Sequence, residues 1–143
     1  MPIQPWSASL AKNTKRFQRI QNTLARVVTR QCGSISISKT LKELHWLPVK
    51  WRFHFKVATT TYKLLECNEP AYLRSKISVR VPRRSLRSST DDRRLDYHPT
   101  RINIGAREFR CVAPTMLNAL PLDIRDSLSA SVFKSKLRSH FFD

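Results

Sequence analysis

Nine cations are spaced for one kind of chemistry, the neutralisation of phosphate. Six are arginines in the run "SVRVPRRSLRSSTDDRRLDYHPTR" at 78–101, namely Arg80, Arg83, Arg84, Arg87, Arg93 and Arg94. A guanidinium keeps its charge at any ordinary pH, and its planar fork of donors matches a phosphate bidentately. The run holds few large apolar residues, so it reads as a solvated segment able to order on an anionic partner. The other three, Arg52, Lys56 and Lys63, recur at spacings of four and seven, which places them on one face of a helix. Contacts of this type hold the backbone of RNA or DNA and carry no base information.

Other chemistries lack their residues. Asp91 and Asp92 are adjacent acids inside the arginine run and read as local charge partners, not as ligands for a catalytic metal. His45, His54, His98 and His140 are scattered, without the helical pairing around a Glu that marks a zinc protease. Cys32, Cys67 and Cys111 include no close pair to begin a zinc or redox motif, and read as buried thiols acting as small apolar residues. Gly33 and Gly105 are the only glycines, too few for a phosphate-cradling loop. The expectation is a chain that is not an enzyme, with no catalytic residue, metal or cofactor.

Composition points the same way. Of 143 residues, 27 are Lys or Arg and 10 are Asp or Glu, a formal net charge of +17. Such a surplus repels itself unless anions or solvent offset it, so RNA or DNA, bound without sequence preference, is the expected partner. The excess lies before residue 108, since residues 108–143 carry five basic and four acidic side chains. The N-terminal "MPIQPWSASLAKNTK" lacks the apolar core of a secretory signal, and no apolar run approaches the roughly 18 residues of a membrane span. These features, with an odd cysteine count, lead us to expect an intracellular protein in a reducing compartment, nuclear or cytoplasmic, with no membrane partner.

The elements that must position the cations follow from periodicity. Residues 1–14 read as an irregular lead-in. "TKRFQRIQNTLARVVTR" then sets Phe17, Ile20, Leu24 and Val28 on one stripe, with Lys15, Arg16, Arg19, Arg26 and Arg30 mostly away from it, the pattern of an amphipathic helix. Gly33 and its neighbouring serines end that helix, Ser38 caps a short one through Leu44, and Pro48 opens a long one over about 48–66. Asn68 and Pro70 stop it before a further turn at "PAYLRSKI". Phe109, Cys111 and Ala113 alternate and predict a strand, "SVRV" predicts another, and "PTMLNALPLDIR" predicts a short helix ended by Pro121. Ser129 caps a last helix with Val132, Phe133, Leu137 and Phe141 on its apolar face.

The long helix decides whether the aromatic, basic stretch "ELHWLPVKWRFHFK" at 43–56 is a stacking platform or a core. At about 100° per residue, Val49, Phe53, Val57 and Leu64 form one stripe, and Trp51, Phe55, Ala58, Tyr62 and Leu65 form a second, nearly opposite. Two apolar stripes sandwich a helix between neighbours, whereas a platform needs its aromatics exposed beside the bases. Arg52, Lys56 and Lys63 remain in the narrow polar strip between them. The fold class expected is mainly α, a small irregular helical bundle around this central helix, with a basic loop and one or two short strands. Residues 15–77 form the helical core in this reading, 78–101 the basic loop, and 102–143 a C-terminal segment packed on the core.

At "LHWLPVKWRFHFKVATTTYKLLE" the text resembles the C-terminal, post-thumb region of reverse transcriptases from non-LTR (LINE-like, jockey-like) retrotransposons. "FQRIQNTLARVV" resembles the helix L-Q-R-I-Q-N-x-A-A-R, "PAYLRSKI" the element P-x-Y-L, and "SLRSS" the element L-R-S-S. "GAREFRCVAPTMLNALPLDIR" resembles G-x-R-A-F-x-x-A-A-P-x-L-W-N-x-L-P, and "SVFKSKLRSHFF" the closing helix. The blocks keep the family's order over about residues 16–142. Leu117 stands where the family has tryptophan, and Glu108 where it has a small residue.

The resemblance implies a noncatalytic fragment of an RNA-directed DNA polymerase. The family's endonuclease and its paired-aspartate motif precede such a region and are absent from these residues. It also implies the upstream polymerase domains of a parent element as a second partner. The alternative it leaves open is a structural remnant without autonomous activity, whose apolar surface packed on those missing domains.

Overall fold

A computed structural model describes residues 8–30, 36–81, 94–101 and 105–142, with side chains from residue 12 onward. Among these residues the protein is mainly α. Seven α-helices occur: α1 (Ala8–Thr29), α2 (Ile37–Glu43), α3 (Val49–Cys67), α4 (Ala71–Arg74), α5 (Phe109–Ala119), α6 (Leu122–Arg125) and α7 (Ala130–Phe142). A 3-10 turn covers Gly105–Arg107, and the extended structure described is one isolated antiparallel bridge, Val79 to Leu95. Two compact units divide the chain, residues 1–54 with 138–143 and residues 55–137, so the division passes through α3 and α7.

In the first unit α1 packs on α2. The helix begins at Ala8, inside the expected lead-in, and turns its side chains opposite to expectation. Phe17, Ile20, Leu24, Val27 and Val28 face solvent, while Gln21 and Ala25 are buried. Hydrogen bonding explains the choice of face. Gln21 Nε2 donates to the Leu47 carbonyl at 2.9 Å, and the Val49 amide donates to Gln18 Oε1 at 2.9 Å. Val49 opens α3, where amides have no intrahelical acceptor, so Gln18 supplies a cap from another helix. Ala25, fully buried, lets the backbones approach.

Helix α2 starts two residues earlier than predicted. Ser36, not Ser38, occupies the N-cap, and it acts through its carbonyl, which accepts from Lys39 and Thr40. The helix ends as His45 takes φ 54°, the left-handed region glycine usually fills, while the Trp46 amide donates to Leu41 at 2.8 Å. The predicted break at Gly33 lies outside the described residues.

Trp51 stacks on Phe141 at 4.9 Å between ring centroids, and the buried His54 ring neighbours those of Trp51 at 5.3 Å, Phe53 at 6.1 Å and Phe141 at 6.4 Å. Burial, reinforced by the Lys50 cation, lowers the His54 pKa from its ordinary 6.5. A depressed histidine binds its proton less readily when folded than when unfolded. Its contribution to stability is therefore complete above the unfolded value and is lost as pH falls below it towards the folded value. Melting curves at about pH 7.5 and about pH 5.5 test this. The native chain is expected to lose more melting temperature over that interval than His54→Gln, and equal losses would refute it.

The second unit has its core where Val57 and Leu64 of α3 meet Ile77 and Val112, Ala113 and Met116 of α5. Tyr62 stacks on Phe133 of α7 at 4.3 Å, and its hydroxyl donates to the Ser127 carbonyl. The predicted strand around Phe109 is instead the start of α5. Phe109, Val112, Ala113, Met116, Leu117 and Leu120 all turn inward, a spacing of three and four that outweighs the short alternation. The helix stops at Ala119, before Pro121, and α6 follows as a separate turn. Ser129 caps α7 as expected, its Oγ accepting from the Val132 amide at 3.3 Å. Val132 itself is 43% exposed, so the inward face of α7 is Phe133 and Leu137.

Burial on α3 departs from the two-stripe wheel in both directions. His54, Thr59 and Thr61 are buried, while Phe53 is 40% exposed. The threonines enter the interior by satisfying themselves locally, each hydroxyl donating to a carbonyl one turn back, Phe55 for Thr59 and Val57 for Thr61. The cations Arg52, Lys56 and Lys63 are exposed.

Candidate nucleic-acid interface

In the second unit the bridge between Val79 and Leu95 joins the two described limbs of the arginine-rich segment. The Arg80 amide donates to the Arg94 carbonyl at 2.9 Å, and the Asp96 amide donates to the Ser78 carbonyl at 2.8 Å. Arg80 and Arg94 are thereby neighbours across an antiparallel pair, and both are exposed. Arg83, Arg84, Arg87 and Arg93 lie outside the described residues.

One side chain anchors this base. Asn118 of α5 accepts the Leu95 amide on Oδ1 at 2.9 Å and donates from Nδ2 to the Leu95 carbonyl at 2.8 Å. A side-chain amide thus takes the place of a neighbouring strand, meeting both backbone groups of Leu95. The Leu95 side chain is 1% exposed. The bridge can persist without a sheet because Asn118 satisfies what a third strand would have satisfied. Sequence reasoning missed Asn118, which reads as an ordinary polar position within a short helix.

Lys56 and Lys63, also in the second unit, are two helical turns apart on the outer strip of α3, about 10 Å along its axis. Arg52 belongs to the first unit, and its Nε donates to the Leu47 carbonyl at 3.1 Å. It braces the entry to α3 with a donor that the sequence alone left for phosphate. The first unit carries a second group of exposed cations, Lys12, Lys15, Arg16, Arg19 and Arg26 on α1 and Arg30 just beyond its end. Their signal in the sequence is the lack of any Asp or Glu before Glu43.

Among the described residues no group of three His, Cys, Asp or Glu side chains could hold a metal ion. Cys111 is buried, its thiol directed to the His98 carbonyl at 3.4 Å, in keeping with a small apolar role. Cys67 is exposed, contrary to the burial expected of it, because Asn68 ends α3 immediately after it at a surface turn. Cys32 lies outside the described residues. No described helix is long and apolar enough to cross a membrane. Comparison of the chain with protein-family models, curated proteins and solved structures finds no match.

Proposed function

We propose that the chain is a noncatalytic module of a non-LTR retrotransposon reverse transcriptase that holds RNA or DNA through sequence-independent phosphate contacts. The observation that carries the binding reading is the pair of exposed arginines, Arg80 and Arg94, held side by side at the base of the arginine-rich segment. Lys56 and Lys63 add cations on the same unit, and the +17 net charge draws the polyanion from a distance. The family origin rests on the ordered motifs of the sequence, and the upstream polymerase domains are the protein partner it implies.

A labelled single-stranded RNA of about 20 nucleotides, titrated at rising salt, tests the proposal. Affinity is expected to fall steeply with salt and to be alike for unrelated sequences. Arg80→Ala with Arg94→Ala removes two phosphate contacts, so the slope of log K against log salt should lessen by about 1.4. No binding at low salt, or one sequence strongly preferred, would overturn the reading.

A further inference from the structure

Helix α1 carries three distinct sectors. Gln18, Gln21 and Ala25 pack inward, the cations Lys12, Lys15, Arg16, Arg19 and Arg26 occupy a second sector, and Phe17, Ile20, Leu24, Val27 and Val28 form a third. These five are 60%, 56%, 51%, 68% and 58% exposed. They recur at spacings of three, four, three and one, a ridge about 16 Å long with the anchor pattern of a helix seated in a groove. The helix cannot turn the ridge inward without breaking the bonds from Gln21 to Leu47 and from Val49 to Gln18. It is a preformed apolar ridge, held outward.

Charge selects the occupant. One long edge of the ridge adjoins the packed sector, and the other adjoins the cation sector, where Arg16 lies nearest, one turn before Ile20, with Arg19 further round the helix. No acidic residue occurs in α1 to offset them. We propose that this ridge docks into an apolar groove of a partner protein whose rim carries carboxylates along the edge facing Arg16 and Arg19. A second copy fits poorly, because antiparallel pairing through the ridge sets two cation edges side by side on molecules of +17 each. The inference stands independently of the nucleic-acid reading.

Calcium-loaded calmodulin, an acidic protein with methionine-lined helix-binding grooves, serves as the probe for the full chain. Binding is expected, weakened about tenfold or more by Leu24→Asp on the ridge. Arg16→Glu with Arg19→Glu should weaken it at low salt, an effect that fades at about 0.5 M KCl. The melting temperature of Leu24→Asp should match that of the native chain, because the side chain stands in solvent. A marked drop would mean that the chain covers the ridge itself and would overturn the proposal. So would failure of the probe to bind, or binding indifferent to Leu24→Asp. Dimers in sedimentation that dissolve in the Leu24→Asp variant would assign the ridge to a second copy. Phosphatidylserine vesicles that bind the native chain but not the variant, while calmodulin binds neither, would assign it to membrane.

Discussion

Replacing Phe133 with alanine is expected to lower the unfolding free energy of the unit formed by residues 55–137 by about 3–5 kcal/mol. The ring is fully buried and stacked on Tyr62, with planes inclined by 18°. Its loss removes both transfer free energy and the contacts that the surrounding side chains cannot recover without moving. Tyr62 is held by its hydroxyl on the Ser127 carbonyl, so it cannot slide into the space without giving up that bond. Against a total of about 5–15 kcal/mol for an ordinary domain, the change is large enough to unfold the unit in a marginal case. Urea titration checks it through the midpoint at unchanged slope. Tyr62→Phe is the milder control, removing one hydrogen bond at about 1 kcal/mol. A Phe133→Ala loss under about 1 kcal/mol would mean that the ring is not in a close-packed core.

Asn118→Ala is expected to cost about 2–4 kcal/mol, from a side chain that is only half-buried. Its importance lies in what it leaves behind. Both the amide and the carbonyl of Leu95 lose their partner, with the Leu95 side chain still anchored in the interior. Asn118→Asp separates the two bonds, because a carboxylate still accepts from the amide but faces the carbonyl with no donor. It should be nearly as harmful as alanine. The bridge that sets Arg80 beside Arg94 is supported by the same clamp, so amide exchange at Arg80 should accelerate in both variants. Protection that persists in Asn118→Ala would show that the bridge stands without the clamp.

Helices α3 and α7 were readable because their apolar residues recur over several turns and their boundaries carry ordinary signals, Pro48 and Asn68 for one and Ser129 for the other. Helix α5 was not. Phe109, Cys111 and Ala113 imitate a strand over five residues, and only the continuation through Met116 and Leu117 restores the helical period. In α1 the period was clear and the packing side was not. Hydrophobic spacing reports that a helix is two-faced, whereas the packed face here is chosen by two glutamine amides that meet backbone groups about 26 to 31 residues away. Among the site residues, exposure of Lys56 and Lys63 followed from the wheel of α3. The tie from Arg52 to Leu47 and the proximity of Arg80 to Arg94 depend on tertiary contacts that no local pattern records.

The division of the chain also sets an order of assembly. Residues 55–137 form one unit from a continuous stretch of sequence, so all of its contacts become available as soon as that stretch has left the ribosome. The other unit joins residues 1–54 to residues 138–143, and the Trp51 stack waits for Phe141. Closing that loop costs chain entropy that adjacent segments would not incur. During synthesis the unit bearing Arg80 and Arg94 can be complete while the Trp51 ring still has no stacking partner, whereas the bonds that tie α1 to Leu47 and Val49 need only the first 54 residues.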